Sequence, residues 1–128
     1  SSGKKAKISI KMIHIHTTSR YSVSKKLHTA QSQSYLEKQG VGDFLVNIIF
    51  VGKRKMLDIA NTYKHENVAL PVLAFQFKDV PSEISESPLL GEIFLCYPQV
   101  VLQETKKSKS VDGMTQELIE HGIRNLLK

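Results

Sequence analysis

Near its end the chain carries Glu120-His121-Gly122-Ile123-Arg124-Asn125, inside a segment from Met114 to Lys128 whose apolar residues recur at helical spacing. At about 100° per residue, Leu118, Ile119, Gly122, Ile123 and Leu126 form one apolar arc, and His121 and Asn125 share its polar edge. A polar edge of this kind is where a helix lines a cleft. Two histidines four residues apart on a helix are a common way to place two zinc ligands on one face. Here the second position is an amide, which is a poor ligand for zinc. A catalytic zinc site takes about three protein ligands and one open position, and the sequence offers His121 as the one convincing candidate. The competing reading makes His121 a boundary histidine bonded to backbone and Asn125 a polar residue near a helix end.

Three other groups have the types for chemistry. Lys53, Arg54 and Lys55 open a segment with Met56, Leu57, Ala60 and Tyr63 at helical spacing. Cations in a first helical turn oppose the helix dipole by up to ~1 kcal/mol each, so the cluster reads either as a phosphate-binding group or as a solvated helix start. His14 and His16 share a face of a strand and could hold a metal if a third ligand existed; the alternative is two histidines capping a strand end. Cys96 closes an apolar strand, where burial raises a thiol pKa, so it reads as packing rather than as a nucleophile.

These residues need a scaffold. Ile8 to Ile15 alternates and then shifts phase, as a strand with a bulge does. Ser24 to Lys38 suits a surface helix through Leu27, Ala30, Tyr35 and Leu36, capped near Ser22 or Ser24 and stopped by Gly40. Phe44 to Val51 is apolar on both faces and should be a central strand. Lys53 to Tyr63 is a helix, Pro71 to Phe77 a strand, Asp79 to Pro88 a polar loop, and Leu89 to Cys96 a fourth strand. Pro98 opens a helix to about Lys107, and Lys106 to Gly113 links it to the last helix. The order predicts an α/β (α+β) fold with a single mixed sheet of about four strands and helices packed around it. One domain over residues 1–128 is expected, with residues 1–6 a flexible tail.

The chain has 128 residues, 18 Lys plus Arg against 12 Asp plus Glu, and a net charge of +6. That balance favours polyanionic partners, of which nucleic acid is the commonest. One cysteine excludes an internal disulfide and points to a reducing compartment, and no apolar run approaches the ~20 residues that span a bilayer. The expected location is the cytoplasm or an organelle of bacterial descent. Ending on Leu126-Leu127-Lys128, with two apolar residues in the last three, suggests that the natural chain continues.

Taken in order, Val72-Leu73-Ala74-Phe75, Leu90-Gly91-Glu92-Ile93 and Glu117 to Leu127 around His121-Gly122 resemble the YbeY family of metal-dependent endoribonucleases that act in rRNA maturation. Met56 to Lys64 looks like the family helix that ends in Tyr-Arg. The resemblance runs from about Val46 onward and implies the YbeY fold, single-stranded RNA as substrate, rRNA or the small ribosomal subunit as partner, and zinc as cofactor. It makes His121 the first metal ligand or a general base, Lys64 the group that stabilises phosphate charge, and Lys53, Arg54 and Lys55 helpers in holding the strand. The departures are specific. Asn125 stands where the family has a second His, the third would fall beyond Lys128, Leu70-Pro71 replaces the family's Thr-Asp/Asn, and Lys64 replaces an Arg, keeping charge but losing the bidentate fork.

Two readings from different classes follow. The first is a metal-assisted endoribonuclease with catalytic His121 and Lys64. The second is an RNA- or ribosome-binding module that keeps the fold and has lost its zinc site. An unrelated α/β domain with a fortuitous His-Gly is the blandest alternative.

Overall fold

In a computed structural model the described residues are 12–76, 88–107 and 110–128. The elements in order are β1 (Ile13–His16), α1 (Lys25–Lys38), β2 (Leu45–Val51), α2 (Lys53–Lys64), β3 (Val72–Gln76), β4 (Leu89–Cys96), α3 (Tyr97–Lys107) and α4 (Val111–Leu126). The four strands form one sheet in the order β1-β2-β4-β3, in which β1, β2 and β4 run parallel and β3 pairs antiparallel with β4. The expected mixed four-stranded sheet is therefore present. The tail at 1–6, the beginning of the first strand and residues 79–87 of the polar loop lie outside the described residues.

Each strand places alternate side chains on opposite faces, and two clusters result. On one face Ile13, Ile15, Val46, Ile48, Phe50, Ile93 and Leu95 pack under α1, α3 and α4 through Leu36, Val100, Ile119 and Ile123. On the other, Leu73 and Cys96 pack under α2 through Met56, Ile59 and Ala60. β2 lies inside the sheet, with Val46, Ile48 and Phe50 buried on one face and Leu45, Asn47, Ile49 and Val51 half-buried on the other.

Several boundaries differ from the sequence expectation for local reasons. Met12 and Ile13 are both buried, which is the phase shift read from the sequence, and a separate register irregularity falls between Leu45 and Val46 where β2 pairs with β4. The last helix begins at Val111, one turn before Met114, because the Ser110 hydroxyl accepts a hydrogen bond from the Gly113 N–H at 2.9 Å and caps it. The first helix ends as expected around Gly40, where the Val41 N–H reaches back to the Leu36 carbonyl at 3.0 Å.

The buried stripe of α1 is largely polar. Leu27 is exposed, and His28 and Ser32 are buried with Leu36. These three recur every four residues and face α4, where Gln116 bonds His28 and Ser32. Gln116 donates from Nε2 to Ser32 Oγ at 3.3 Å and to Glu120 Oε2 at 2.9 Å. Its Oε1 must then accept from His28 Nδ1, 2.9 Å away. A polar seam thus holds α4 to α1, and Arg124 adds a bond to the Tyr35 hydroxyl at 3.3 Å.

Two glycines set how closely α4 lies on the sheet. A Cβ on Gly122 would meet Ile93 Cγ2 at 2.8 Å, and one on Gly91 would meet the Phe75 carbonyl and, at 2.5 Å, Leu126 Cδ2. Their missing side chains let the end of α4 settle over β4 and β3.

Candidate active site

The apolar arc read from the sequence is the buried face of α4: Leu118, Ile119, Gly122, Ile123 and Leu126 are all buried. His121 is exposed and Asn125 half-buried, at the border of that face. Asn125 opens into a cavity of about 260 Å³ that runs along the outer side of β3, lined by Val72 to Ala74 and Gln76, by Lys64 from α2, and by Asn125 and Lys128 from α4.

Among the described residues β3 has a neighbour on one side only, which leaves a sheet edge. The Cys96 N–H donates to the Pro71 carbonyl at 3.0 Å, so Pro71 faces Cys96 as a hydrogen-bonded pair. Antiparallel ladders alternate, and the register Val72 to Leu95 and Ala74 to Ile93 therefore turns the N–H and C=O of Val72, Ala74 and Gln76 away from β4, toward the cavity. Those groups are ready donors and acceptors.

Lys64 is the last residue of α2, where a cation complements the helix dipole. Its ammonium lies 5.3 Å from the centroid of the Phe75 ring, an attraction of about 0.5–1 kcal/mol at an exposed site. Phe75 is itself held edge-on by Tyr63 at 5.5 Å and Phe94 at 5.8 Å. On the other wall, Gln76 donates from Nε2 to the carbonyls of Leu126 at 3.4 Å and Lys128 at 2.8 Å. That amide ties the last turn of α4 to β3 and fixes the side on which Asn125 stands.

Of the sequence candidates, Lys64 and Asn125 meet at this cavity. His121 lies one turn before Asn125 on the same helix, a spacing that leaves about 5–6 Å between Cβ atoms, and it is not part of the lining. Lys53, Arg54 and Lys55 are exposed at the opposite end of α2, roughly 16 Å from Lys64 at about 1.5 Å per residue. His14 and His16 project together from β1, on the exposed side of its alternation. The sequence reading missed Lys128 and the β3 edge. Lys128 follows Asn125 by three residues, the spacing that brings side chains to one helical face, and that signal was available.

Zinc does not fit the residues described here. Among them no three His, Cys, Asp or Glu side chains come together to hold a metal. The partner of His121 at helical spacing is an amide, and the adjoining cavity carries two ammonium groups, which oppose a divalent cation. The ammonium and amide groups instead favour negative charge.

Cys96 is buried, and burial pushes its thiol above the ordinary value of 9.0 against smaller opposing effects from the Gln99 backbone N–H and the Lys53 charge. It is a packing residue, as its strand position implied.

The sequence model of one family, Endoribonuclease YbeY, matches residues 7–127. The chain belongs to the YbeY family. Among curated relatives, Endoribonuclease YbeY of Pseudomonas syringae pv. syringae (strain B728a) is 33% identical over 90 residues, 70% of this chain and 54% of that protein. Its counterpart in Pseudomonas putida (strain W619) is 32% identical over 90 residues, 70% of this chain and 57% of that protein. The chain thus spans little more than half the length of the curated YbeY relatives it matches. A solution structure from Thermotoga maritima superposes with a TM-score of 0.59 at 22% identity, covering 91% of this chain and 73% of that one, and shows the same fold.

Proposed function

We propose that this chain acts on single-stranded RNA as a YbeY-type endoribonuclease in rRNA maturation, with rRNA or the small ribosomal subunit as partner, in the cytoplasm or an organelle of bacterial descent. The observation that carries the reading is the convergence of Lys64 and Asn125, from two helices on opposite faces of the sheet, on one cavity along the β3 edge. Relatives named for endoribonuclease action support the reaction class, and the +6 charge supports a polyanionic substrate. No helix among the described residues is long and apolar enough to cross a membrane.

In this reading Lys64 holds the charge of a phosphate next to the bond to be cut, and the Phe75 ring keeps its ammonium there. Lys53, Arg54 and Lys55 hold the flanking strand, since roughly 16 Å of α2 separates them from Lys64. His121, one turn before Asn125 on α4, supplies an imidazole as a general base toward the attacking hydroxyl or water. It is also the one ligand this chain would offer to zinc, the cofactor that family resemblance implies. Cleavage of a single-stranded rRNA fragment, absent with His121→Ala and absent on a duplex of the same sequence, is the expected result. Unchanged cleavage by His121→Ala would remove that residue from the site.

Asn125 favours a second reading, in which the chain binds RNA or the ribosome without cutting. An amide at that position is harmless to the fold and poor for a metal. RNA association that weakens steeply with salt, with no cleavage under any metal supplied, would select it.

A further inference from the structure

We infer that the outer edge of β3 docks an acidic peptide in extended conformation, which adds to the sheet as a further strand beside Val72, Ala74 and Gln76 and sets adjacent carboxylates against Lys64 and Lys128. This inference goes beyond the RNA reading and does not rest on it.

The backbone decides the class of ligand. Val72, Ala74 and Gln76 turn both N–H and C=O away from β4. Among the described residues no backbone hydrogen bond from outside the sheet ladder reaches them. Donors and acceptors therefore alternate along the edge, with a carbonyl between one N–H and the next. A ligand made only of acceptors would meet those carbonyls with like partial charge. Another strand supplies the complement at every position, because its own N–H and C=O groups alternate with the same period. It would lie about 4.8 Å from β3, in the cavity of about 260 Å³ that runs along this edge.

Charge selects among peptides. The side chains lining the cavity include the ammonium groups of Lys64 and Lys128 and no carboxylate. Lys64 stands on the α2 side of the edge, 5.3 Å from the centroid of the Phe75 ring. Lys128 stands on the α4 side, where its carbonyl accepts from Gln76 Nε2 at 2.8 Å. Successive side chains of an added strand point to opposite faces, so two consecutive Asp or Glu residues would offer one carboxylate to each lysine. The same lysines disfavour a second copy of this chain. Pairing β3 with β3 would bring another Lys64 and Lys128 to the same edge, and lysines on an exposed edge act against pairing between like chains.

The test uses the whole chain and a fluorescein-labelled synthetic peptide, Thr-Val-Glu-Glu-Val-Thr, followed by fluorescence anisotropy and by NMR of the protein's backbone amides. The expected result is saturable binding with shifts centred on the amides of Val72, Ala74 and Gln76. Methylating every backbone nitrogen of the peptide keeps its charges and removes its donors, and affinity should fall at least about tenfold. Placing Lys at both Glu positions of the peptide should weaken binding by a similar factor, and Lys64→Gln in the protein about two- to fivefold. Lys64 is exposed, and an equal melting temperature checks that the variant folds; the methylated peptide tests the edge on the unaltered protein. Undiminished binding of the methylated or the Lys-bearing peptide would overturn the inference, as would shifts confined to other amides. So would a short oligouridylate that shifts the three amides when the peptide does not, or a concentration-dependent dimer that shifts them without peptide. RNA cleavage is scored separately. Peptide bound at these amides by a chain that neither binds nor cuts RNA would defeat the nuclease reading and leave the docking edge standing.

Discussion

The ring of His28 in α1 donates from Nδ1 to the side-chain oxygen of Gln116 in α4, 2.9 Å away, with both residues buried. The other ring nitrogen has no hydrogen-bond partner and lies 3.6 Å from an Asp112 carboxylate oxygen. This contact is the main polar tie between the first helix and the helix that carries His121 and Asn125. Its members are far apart in sequence, yet all sit on one seam. Replacing His28 by Ala opens a cavity and strands the Gln116 oxygen, and each effect is destabilising. The expected loss is about 2–4 kcal/mol, seen as a lower denaturant midpoint at unchanged slope. Ser32→Ala removes an acceptor while Gln116 keeps its bond to Glu120, so its loss should stay near 1 kcal/mol.

Lys64 and Phe75 make a second relation that can be separated from charge. Phe75→Leu keeps an apolar residue between Tyr63 and Phe94 and removes the ring face over which the Lys64 ammonium lies. The cation remains but is no longer held. Affinity for single-stranded RNA should fall about two- to fivefold, the equivalent of 0.5–1 kcal/mol, with the salt slope unchanged. Lys64→Gln should instead lower the slope. Measuring both slopes tells placement from charge.

The sheet and its helices were legible in the sequence because alternation and helical spacing report burial directly. β2 showed this best on the face of Val46, Ile48 and Phe50, which is buried, whereas the face of Leu45, Asn47, Ile49 and Val51 is only half-buried. The seam of α1 was illegible by the same logic. His28 and Ser32 count as surface residues until Gln116 is known to face them, and no local pattern pairs residues 88 positions apart. The candidate site divides likewise. Asn125 was marked by helical spacing and Lys64 by family resemblance, whereas the β3 edge depends on which strand ends the sheet. The antiparallel pair was foreseen; the order that leaves β3 outermost was not.

Cys96 gives a prediction with a definite sign. Its thiol is raised above 9.0 in the folded chain, chiefly by burial. The unfolded thiol ionises first as pH rises, so the folded state loses relative stability from about pH 9 upward and the contribution is constant at neutral pH and below. Native protein at neutral pH should react with a disulfide reagent several-fold more slowly than unfolded protein. Reaction at the unfolded rate would show that the thiol is reached by opening of the α2 face.

Gly122 tests the close approach of α4. In Gly122→Ala the new methyl meets Ile93 Cγ2 at 2.8 Å and Cδ1 at 3.0 Å, inside a packed core. Overpacking of this kind costs about 1–3 kcal/mol. The cost should shrink toward zero when Ile93 is first cut back to Ala, because the clashing atoms are gone. A double-mutant cycle measures that coupling. Additive losses would mean that the helix backbone, and not Ile93, resists the methyl group.

Asn125→His asks whether one residue separates this cavity from a metal site. The substitution restores two histidines four residues apart on α4, and the new imidazole occupies the position that lines the cavity. Two ligands on one face raise zinc affinity, but Lys64 and Lys128 continue to oppose the cation. The single variant should therefore bind zinc more tightly than the native chain and still fall short of a stoichiometric site in competition with a chelator. Adding Lys64→Gln removes one opposing charge, and the double variant should bind zinc more tightly than either single one. If Asn125→His alone gave tight, stoichiometric zinc, the ammonium groups would not be what keeps a cation out of the cavity.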